Sequence, residues 1–317
     1  MAGLITHKLF ADEVFQKFGK EKQKMLKDSL SFYHVFSQSF DFFLFHKKKK
    51  IRKFQHYTHQ VNTQSYLINL IREILSNKLE NSPEALGYLY GSINHYVLDS
   101  VTHPYIYYKS GVFDKKVKES FKYKELHTRM EFMLDCFMYE SKHKKRFYKY
   151  KFKNDVFPKI KPSKELINLI NITYKKTYNK NNIAKEYFRA YKYSKILFHL
   201  FIYDPLGIKK ISYKINDLIF RTKYVYRSFH IKCIDYTLLN INRKEWFNPA
   251  DKSLKQNSSF IDLYNEAVKK SVHIIENVDK VLKKEKDIKS LLDIIPNISY
   301  VTGLPIMQNK PAKYFEF

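Results

Sequence analysis

The sequence predicts an all-α protein, and three observations lead to this fold class. Glycine is scarce, with seven among 317 residues, too few for a fold built from many tight turns. Hydrophobic residues make up 44% of the chain, which is enough for a sizeable core and too many for a disordered protein. Apolar residues also recur at helical spacing along most of the length. We therefore expect a single multi-helix domain over residues 1–317.

The helices are placed by their apolar period and by their end signals. The first is predicted over residues 6–18. Ser82 as N-cap and Pro83 at the first helical position predict a helix that runs to about residue 102. Pro104 disfavours helical geometry at His103, so we expect that helix to end there. The same period predicts further helices over residues 22–38, 64–79, 115–139, 163–177, 183–201, 212–225 and 259–284.

The segments between these helices are predicted to be irregular. Residues 154–162 read as a connection, 248–257 as a loop and 294–317 as an irregular tail. Within one domain we expect a core over about residues 1–140, followed by C-terminal helices over about residues 163–290.

The formal charge of +27 would attract the protein to nucleic acid or to an acidic membrane surface. A compositional explanation is favoured, because Lys, Asn, Ile, Tyr and Phe are abundant together, as in genomes rich in A and T, and the lysines spread over the whole chain. Two denser basic runs, at residues 47–53 and 142–153, remain candidates for phosphate binding, base stacking or membrane contact. A solvated helix end explains them equally well.

Cysteine usage and the apolar runs bear on location. Cys136 and Cys233 lie in hydrophobic surroundings without a CxxC spacing, so we expect buried thiols. The first twenty residues place His7, Asp12 and Glu13 where a secretory signal would be apolar. No stretch reaches the roughly 18 apolar residues that a membrane-spanning helix requires. The expected location is therefore cytoplasmic, with no transmembrane segment.

Five metal-binding side chains recur at intervals of four in two of the predicted helices. His95, Asp99 and His103 belong to one helix, and His127 and Glu131 to the next. Residues four apart lie on the same helix face, so each run directs its ligands to one place. Both carboxylates have apolar neighbours and would need a cation partner there. Imidazole and carboxylate without thiolate are typical of hydrolytic zinc, so the pattern predicts a polynuclear zinc site and a hydrolase.

Weaker candidates precede this region. Asp41 lies in the apolar run of residues 40–45, so its carboxylate needs a cation or a capping role. His56 and His59 cannot be separated by spacing. His7 alone carries little weight, since a histidine near the start of an apolar helix is more often structural.

Simpler interpretations compete with the metal site. An isolated His–Asp pair is more often a hydrogen bond within a core, and a His–Glu pair is often a surface salt bridge. The whole constellation favours metal. Asp135 continues the face of Glu131 one turn later, and we expect it to support a ligand rather than bind an ion. HExxH, His-Asp dipeptide, phosphate-loop and nucleophile-elbow motifs are missing from the sequence, and so is the pair of Glu-x-x-His motifs that a di-iron bundle requires.

Taken together, these residues resemble the zinc-dependent phospholipase C family, an all-α fold shared in outline with the S1/P1 nucleases. The resemblance is firm over about the first 140 residues and weaker at Trp246, Pro249 and Ser259. It rests on Ile5-Thr6-His7, Phe40-Asp41-Phe42-Phe43, His59, the segment GYLYGSINHYVLDSVTHPYIYY at residues 87–108, and His127 with Glu131.

The resemblance implies a metal cleft with two or three Zn²⁺ ions. The first zinc would be held by Asp41, His59, His95 and Asp99. Asp99 would bridge to a second ion bound also by His7, and the remaining ion would be held by His103, His127 and Glu131. Asp41 would double as the general base. The chain departs from the family pattern in having no N-terminal Trp ligand, Ser39-Phe40 in place of Gly-Pro, and a shorter interval from His95 to His103.

The sequence therefore predicts a metal-dependent phosphodiester hydrolase of phospholipase C type. A metal-bound hydroxide would attack the phosphoryl ester of its substrate, which is expected to be a phospholipid. One alternative is a P1-like nuclease, favoured by the basic charge. The other is a non-catalytic helical module that keeps metal for structural reasons and binds a membrane or a protein partner.

Overall fold

The protein is described here by a computed structural model that covers residues 3–145, 147, 155–202, 204, 206–220 and 236–316. As predicted, it is an all-α structure with little sheet. The helices of its first half are α1 (Leu4–Gln16), α2 (Lys20–Leu26), α3 (Leu30–Phe36), α4 (Lys49–Thr58), α5 (Thr63–Ser76) and α6 (Pro83–Ser110). Those of its second half are α7 (Leu126–His143), α8 (Lys164–Tyr178), α9 (Ile183–Phe201), α10 (Ile208–Phe220) and α11 (Phe260–Leu282).

Helix α6 lies at the centre of the fold, with α1, α3, α5, α7 and α11 packed around it. It begins as predicted, with the Ser82 side chain accepting a hydrogen bond from Ala85 N and Pro83 in the first turn. Helix α3 approaches it closely at Gly91, where an added Cβ would lie only 2.7 Å from the Tyr33 carbonyl oxygen. The 28 residues of α6 are mostly buried, so this helix is a rigid support for the side chains on its faces.

The predicted end of this helix at His103 is wrong, because α6 continues through Pro104 to Ser110. Proline removes one backbone hydrogen bond, but packing on the following turn outweighs that loss. Tyr105 is buried against Trp246, at 5.1 Å between ring centroids, and donates a hydrogen bond to the Leu238 carbonyl. His103 therefore stays on the helix face that also presents His95 and Asp99.

Two other predicted helices are shorter than expected. The segment 22–38 is interrupted by a 3₁₀ turn at Lys27–Ser29, where the Ser29 hydroxyl bonds to the Leu26 carbonyl and competes with helical pairing. The helix predicted over residues 115–139 begins only at Leu126, after a 3₁₀ helix at Lys118–Tyr123. Glu125 has a φ of 66°, a left-handed conformation that an α-helix interior excludes.

The loop predicted at residues 248–257 is instead an antiparallel hairpin of β1 (Trp246–Asn248) and β2 (Asp251–Gln256). Its tight turn is closed by side chains, since Asn248 Oδ1 accepts from Ala250 N and Asp251 Oδ1 accepts from Ser253 N. As expected, the described residues 294–316 of the tail contain no α-helix.

Several other predictions fall partly outside the described residues. Cys136 is a buried free thiol, as predicted, whereas Cys233 lies outside the described part of the chain. The helix predicted at 212–225 corresponds to α10, and residues 221–225 lie outside as well. Residues 146 and 148–153 of the basic run 142–153 also lie outside the described part of the chain. None of the described helices is long and apolar enough to cross a membrane.

Candidate metal centre

The structure brings the eight predicted site residues into one buried region. They come from five elements, so the site forms only when the helices pack. The elements and their site residues are α1 with His7, the 3₁₀ helix Ser39–Phe45 with Asp41, the C-cap of α4 with His59, α6 with His95, Asp99 and His103, and α7 with His127 and Glu131.

Asp99 occupies the middle of this region and is fully buried. Its Oδ1 lies 3.2 Å from His7 Nε2 and 3.3 Å from His103 Nε2. Its Oδ2 lies 3.4 Å from His59 Nε2 and 3.5 Å from His95 Nε2. Each carboxylate oxygen thus faces two imidazoles, an arrangement that suits a carboxylate shared between two cations.

Asp41 faces three of the same histidines. Its Oδ1 lies 3.1 Å from His59 Nε2, and its Oδ2 lies 3.6 Å from His7 Nε2 and 3.9 Å from His95 Nδ1. One donor atom from each of His7, Asp41, His95 and Asp99 falls in a set whose members all lie within 4.8 Å of one another. That spacing leaves room for a cation between the four side chains.

A second group is formed by His103, His127 and Glu131, again with donor atoms within 4.8 Å of one another. His127 Nε2 lies 2.9 Å from Glu131 Oε1, and His103 Nε2 lies 4.0 Å from the same oxygen. His103 therefore connects this group to Asp99. The His127 side chain is 22% exposed, so the region reaches solvent on this side.

Hydrogen bonds outside these groups hold two of the histidines in position. His59 Nδ1 lies 2.9 Å from the Gln55 carbonyl, which turns Nε2 towards the carboxylates. Gln55 Nε2 also donates to Asp41 Oδ1 at 3.1 Å. Asp135, expected to be a supporting residue, accepts from Thr6 N at 2.8 Å and from the Thr6 hydroxyl at 2.7 Å. It fixes the start of the helix that presents His7.

Sequence reasoning missed two residues that support the site, Gln55 and Tyr300. Gln55 precedes His59 by four residues, so helical spacing on α4 could have indicated it. Tyr300 comes from the irregular tail and gives no local signal. The centroid of its ring lies 5.1 Å from the ring centroid of His59 and 5.7 Å from that of His95. Its backbone N–H donates a hydrogen bond to the His59 carbonyl at 2.9 Å. The structure also separates the two histidines left open by spacing, because His59 is buried in the cluster and His56 is exposed.

Burial and mutual proximity shift the ionisation of these groups. Burial acts to raise the pKa of Asp41 and Asp99, but the neighbouring imidazoles outweigh it and hold both values below the ordinary range. Burial lowers the pKa of His95 to about 4. The two carboxylates overcome the same effect at His59 and raise its pKa to about 9. Burial raises the pKa of Glu131.

Unsatisfied polar atoms provide the test of whether a cation fits. In the described part of the chain, several buried atoms of this cluster have no hydrogen-bond partner. They are both ring nitrogens of His7, His95 and His103, both carboxylate oxygens of Asp99, and Oδ2 of Asp41. Each such atom costs about 1–3 kcal/mol when left unpaired, and native proteins rarely contain several together. Imidazole and carboxylate donors without thiolate fit zinc, so the cluster is suited to bind Zn²⁺.

Fold and site together define an all-α protein with a buried cluster of histidines and carboxylates that is suited to hold divalent metal. The model of the zinc dependent phospholipase C family matches residues 6–185, a range that contains all eight site residues. The chain belongs to this family. No curated protein and no solved structure gives a significant match to the chain.

Proposed function

We propose that the protein is a zinc-dependent phosphodiester hydrolase that cleaves the phosphoryl ester of a phospholipid. The observation that carries this proposal is the position of Asp99, which lies between four imidazoles with each oxygen facing two of them. Paired cations on one carboxylate are typical of enzymes that displace an oxygen from phosphorus. Membership of the phospholipase C family supports a phospholipid substrate.

The proposed ligand sets are those that the family resemblance implies, and the third of them coincides with the group of His103, His127 and Glu131. The first ion would be held by Asp41, His59, His95 and Asp99, the second by His7 and Asp99, and the third by His103, His127 and Glu131. Bound zinc supplies Lewis-acid chemistry, because it acidifies water and offsets negative charge on phosphoryl oxygens.

Asp41 is proposed as the general base. Its lowered pKa keeps the carboxylate ionised at neutral pH, and Gln55 Nε2 fixes one of its oxygens. The other oxygen, Oδ2, accepts no hydrogen bond from the described residues and is the atom that we propose to accept the proton from the attacking water.

The position of the basic run at residues 47–53 favours a phospholipid over nucleic acid. Most of this run lies at the start of α4, whereas His59 follows the end of the same helix. A ten-residue helix is about 15 Å long, so the lysines are remote from the cluster. Lys48 and Lys50 line a separate groove of about 510 Å³ that also includes Arg189. The lysines of this run therefore do not support the nuclease alternative at the reacting centre.

The proposal is tested by removing metal with a chelator, restoring zinc, and assaying hydrolysis. The substrates are phosphatidylcholine and other phospholipids in mixed micelles, a short-chain chromogenic phosphodiester, and single-stranded DNA. We expect zinc to restore cleavage of the phospholipid and the chromogenic ester. Asp41→Asn should lower kcat by about 100-fold or more, as expected when a general base is removed.

Asp12→Asn is the matched control, because Asp12 also pairs with a histidine, His34 at 2.9 Å, but lies outside the cluster. It should keep full activity. Cleavage of DNA alone would make the protein a nuclease. A zinc-loaded protein that cleaves none of the substrates would contradict the proposal, and loss of folding in step with every loss of activity in His95→Ala would favour the structural module.

A further inference from the structure

Exposed apolar side chains are concentrated in one part of the described chain, the end of α9 and helix α10. Leu218 is 83% exposed, Ile211 59% and Ile215 52%. Single exposed apolar residues are ordinary, but a contiguous group marks an interaction surface. We call this group the apolar strip, and it consists of Ile196, Leu200, Phe201, Leu206, Ile208, Ile211, Ile215, Leu218 and Ile219.

Helix α10 is oriented in the opposite way to an ordinary surface helix. Its apolar residues recur at intervals of three and four and so share one face. Its contacts with α9 come from the other face, where Lys209 Nζ donates to the His199 carbonyl at 2.7 Å and Tyr213 Oη donates to the Phe201 carbonyl at 2.8 Å. At 100° per residue, Tyr213 lies nearly opposite the centre of the apolar face, and Lys209 lies about 130° from it. Polar groups therefore attach α10 to the protein while the apolar face points outwards.

Charge and length indicate what covers this face. Lys209, Lys210 and Lys214 lie on and beside the polar face, and the whole chain has a formal charge of +27. That charge opposes association with a second copy of the chain and favours an anionic surface. The 13 residues of α10 span about 20 Å, too short to cross a hydrocarbon core of about 30 Å.

We propose that α10 is an interfacial membrane helix, which inserts its apolar face into a phospholipid bilayer while Lys214, at the side of that face, contacts anionic head groups. The purpose of this membrane contact rests on the proposed function, since a phospholipase must reach its substrate in a bilayer. The binding itself can be measured without any catalysis.

All proteins in the binding test are full zinc-loaded chains that carry Asp41→Asn, so that hydrolysis does not consume the lipid. The large unilamellar vesicles contain either phosphatidylcholine alone or phosphatidylcholine with roughly 30% anionic phosphatidylglycerol. We expect binding in sedimentation assays, stronger with the anionic lipid and weaker at high salt. The strip variant carries Ile211→Gln, Ile215→Gln and Leu218→Gln. It should bind at least about 30-fold more weakly, because three large apolar side chains no longer enter the bilayer.

The matched control is Ile241→Gln/Leu254→Gln/Met307→Gln, which removes three exposed apolar side chains elsewhere. It should bind like the unchanged protein. Circular dichroism should show both variants folded, since all six positions are exposed. Equal vesicle binding by the strip variant and the unchanged protein would overturn the proposal, as would the absence of vesicle binding by the unchanged protein. The proposal would also be overturned if the unchanged protein and the control variant were dimers and the strip variant were a monomer, because the face would then be covered by a second copy.

The same variants, made in the protein that keeps Asp41, distinguish this proposal from the function itself. The strip variant should hydrolyse the short-chain chromogenic ester at an unchanged rate and lose activity only on vesicles. A protein that binds vesicles through α10 but cleaves no substrate would contradict the proposed function and leave the membrane helix supported.

Discussion

Replacing Asp99 by Asn should reduce the stability that the protein gains from zinc by roughly 5 kcal/mol. The substitution keeps the side-chain shape but replaces one charged oxygen with an amide nitrogen, which cannot bind a cation. Asp99 is the one side chain in the cluster that faces four imidazoles within 3.5 Å, among the residues that the structure describes. Two ions should therefore lose affinity together.

The size of the effect follows from linkage between binding and folding. A loss of about 100-fold in affinity is about 2.7 kcal/mol for each ion, so two ions lose roughly 5 kcal/mol of zinc-linked stability. A chain of 317 residues has an unfolding entropy of about 0.7 kcal/mol per kelvin near 60 °C. The zinc-induced rise in Tm should therefore shrink by about 8 °C in Asp99→Asn.

The assay is differential scanning calorimetry of each protein with zinc and with a chelator, and the measured quantity is the difference between the two Tm values. This difference cancels any effect of the substitution on the metal-free protein. Asp12→Asn is the control and should leave the difference unchanged. A zinc-induced rise in Asp99→Asn equal to that of the unchanged protein would refute the assignment of Asp99 as a shared ligand.

Three further predictions follow from contacts around the cluster. Tyr300→Ala should lower the free energy of unfolding by about 3–5 kcal/mol and reduce zinc content, whereas Tyr300→Phe keeps the packing ring and both properties. Gly3→Ala should cost about 1–3 kcal/mol in urea denaturation, since its Cβ would lie 2.2 Å from Cγ of the buried, hydrogen-bonded Asp135. Burial acts to raise the pKa of Asp12, but its histidine and lysine partners hold the value at about 2. Their stabilisation is full above about pH 4 and is lost as the pH falls towards 2, so Asp12→Asn should cost about 2 kcal/mol at pH 7 and almost nothing at pH 2.

The helical character of the chain could be predicted because it depends on local pattern. Apolar period and the Ser82-Pro83 start placed α6, and period alone placed α9 with its observed bounds. The failures occurred where tertiary contacts decide. Packing around Tyr105 extends α6 past Pro104, and side-chain hydrogen bonds close the turn between β1 and β2. A single sequence contains neither the partner nor the geometry of such contacts.

The residues of the candidate site also fall into those that local spacing predicts and those that depend on tertiary packing. Four-residue spacing on α6 and α7 brings His95, Asp99 and His103 to one face and His127 beside Glu131, because helix geometry is fixed by the backbone. The contributions of His7, Asp41 and His59 depend on how separate elements pack. Asp41 was a candidate because of its apolar surroundings, whereas His7 and His59 were singled out only through the family resemblance. Tyr300 had no signal at all, since its segment is irregular and reaches the site from the far end of the chain.

The central claim is that the buried histidines and carboxylates bind zinc. The most direct test is elemental analysis of the purified protein combined with X-ray absorption at the zinc edge. We predict two or three zinc ions per chain, with nitrogen and oxygen neighbours at about 2.0–2.2 Å and no sulfur shell near 2.3 Å. Less than one zinc ion per chain after reloading, or a zinc site with sulfur ligands, would contradict the claim.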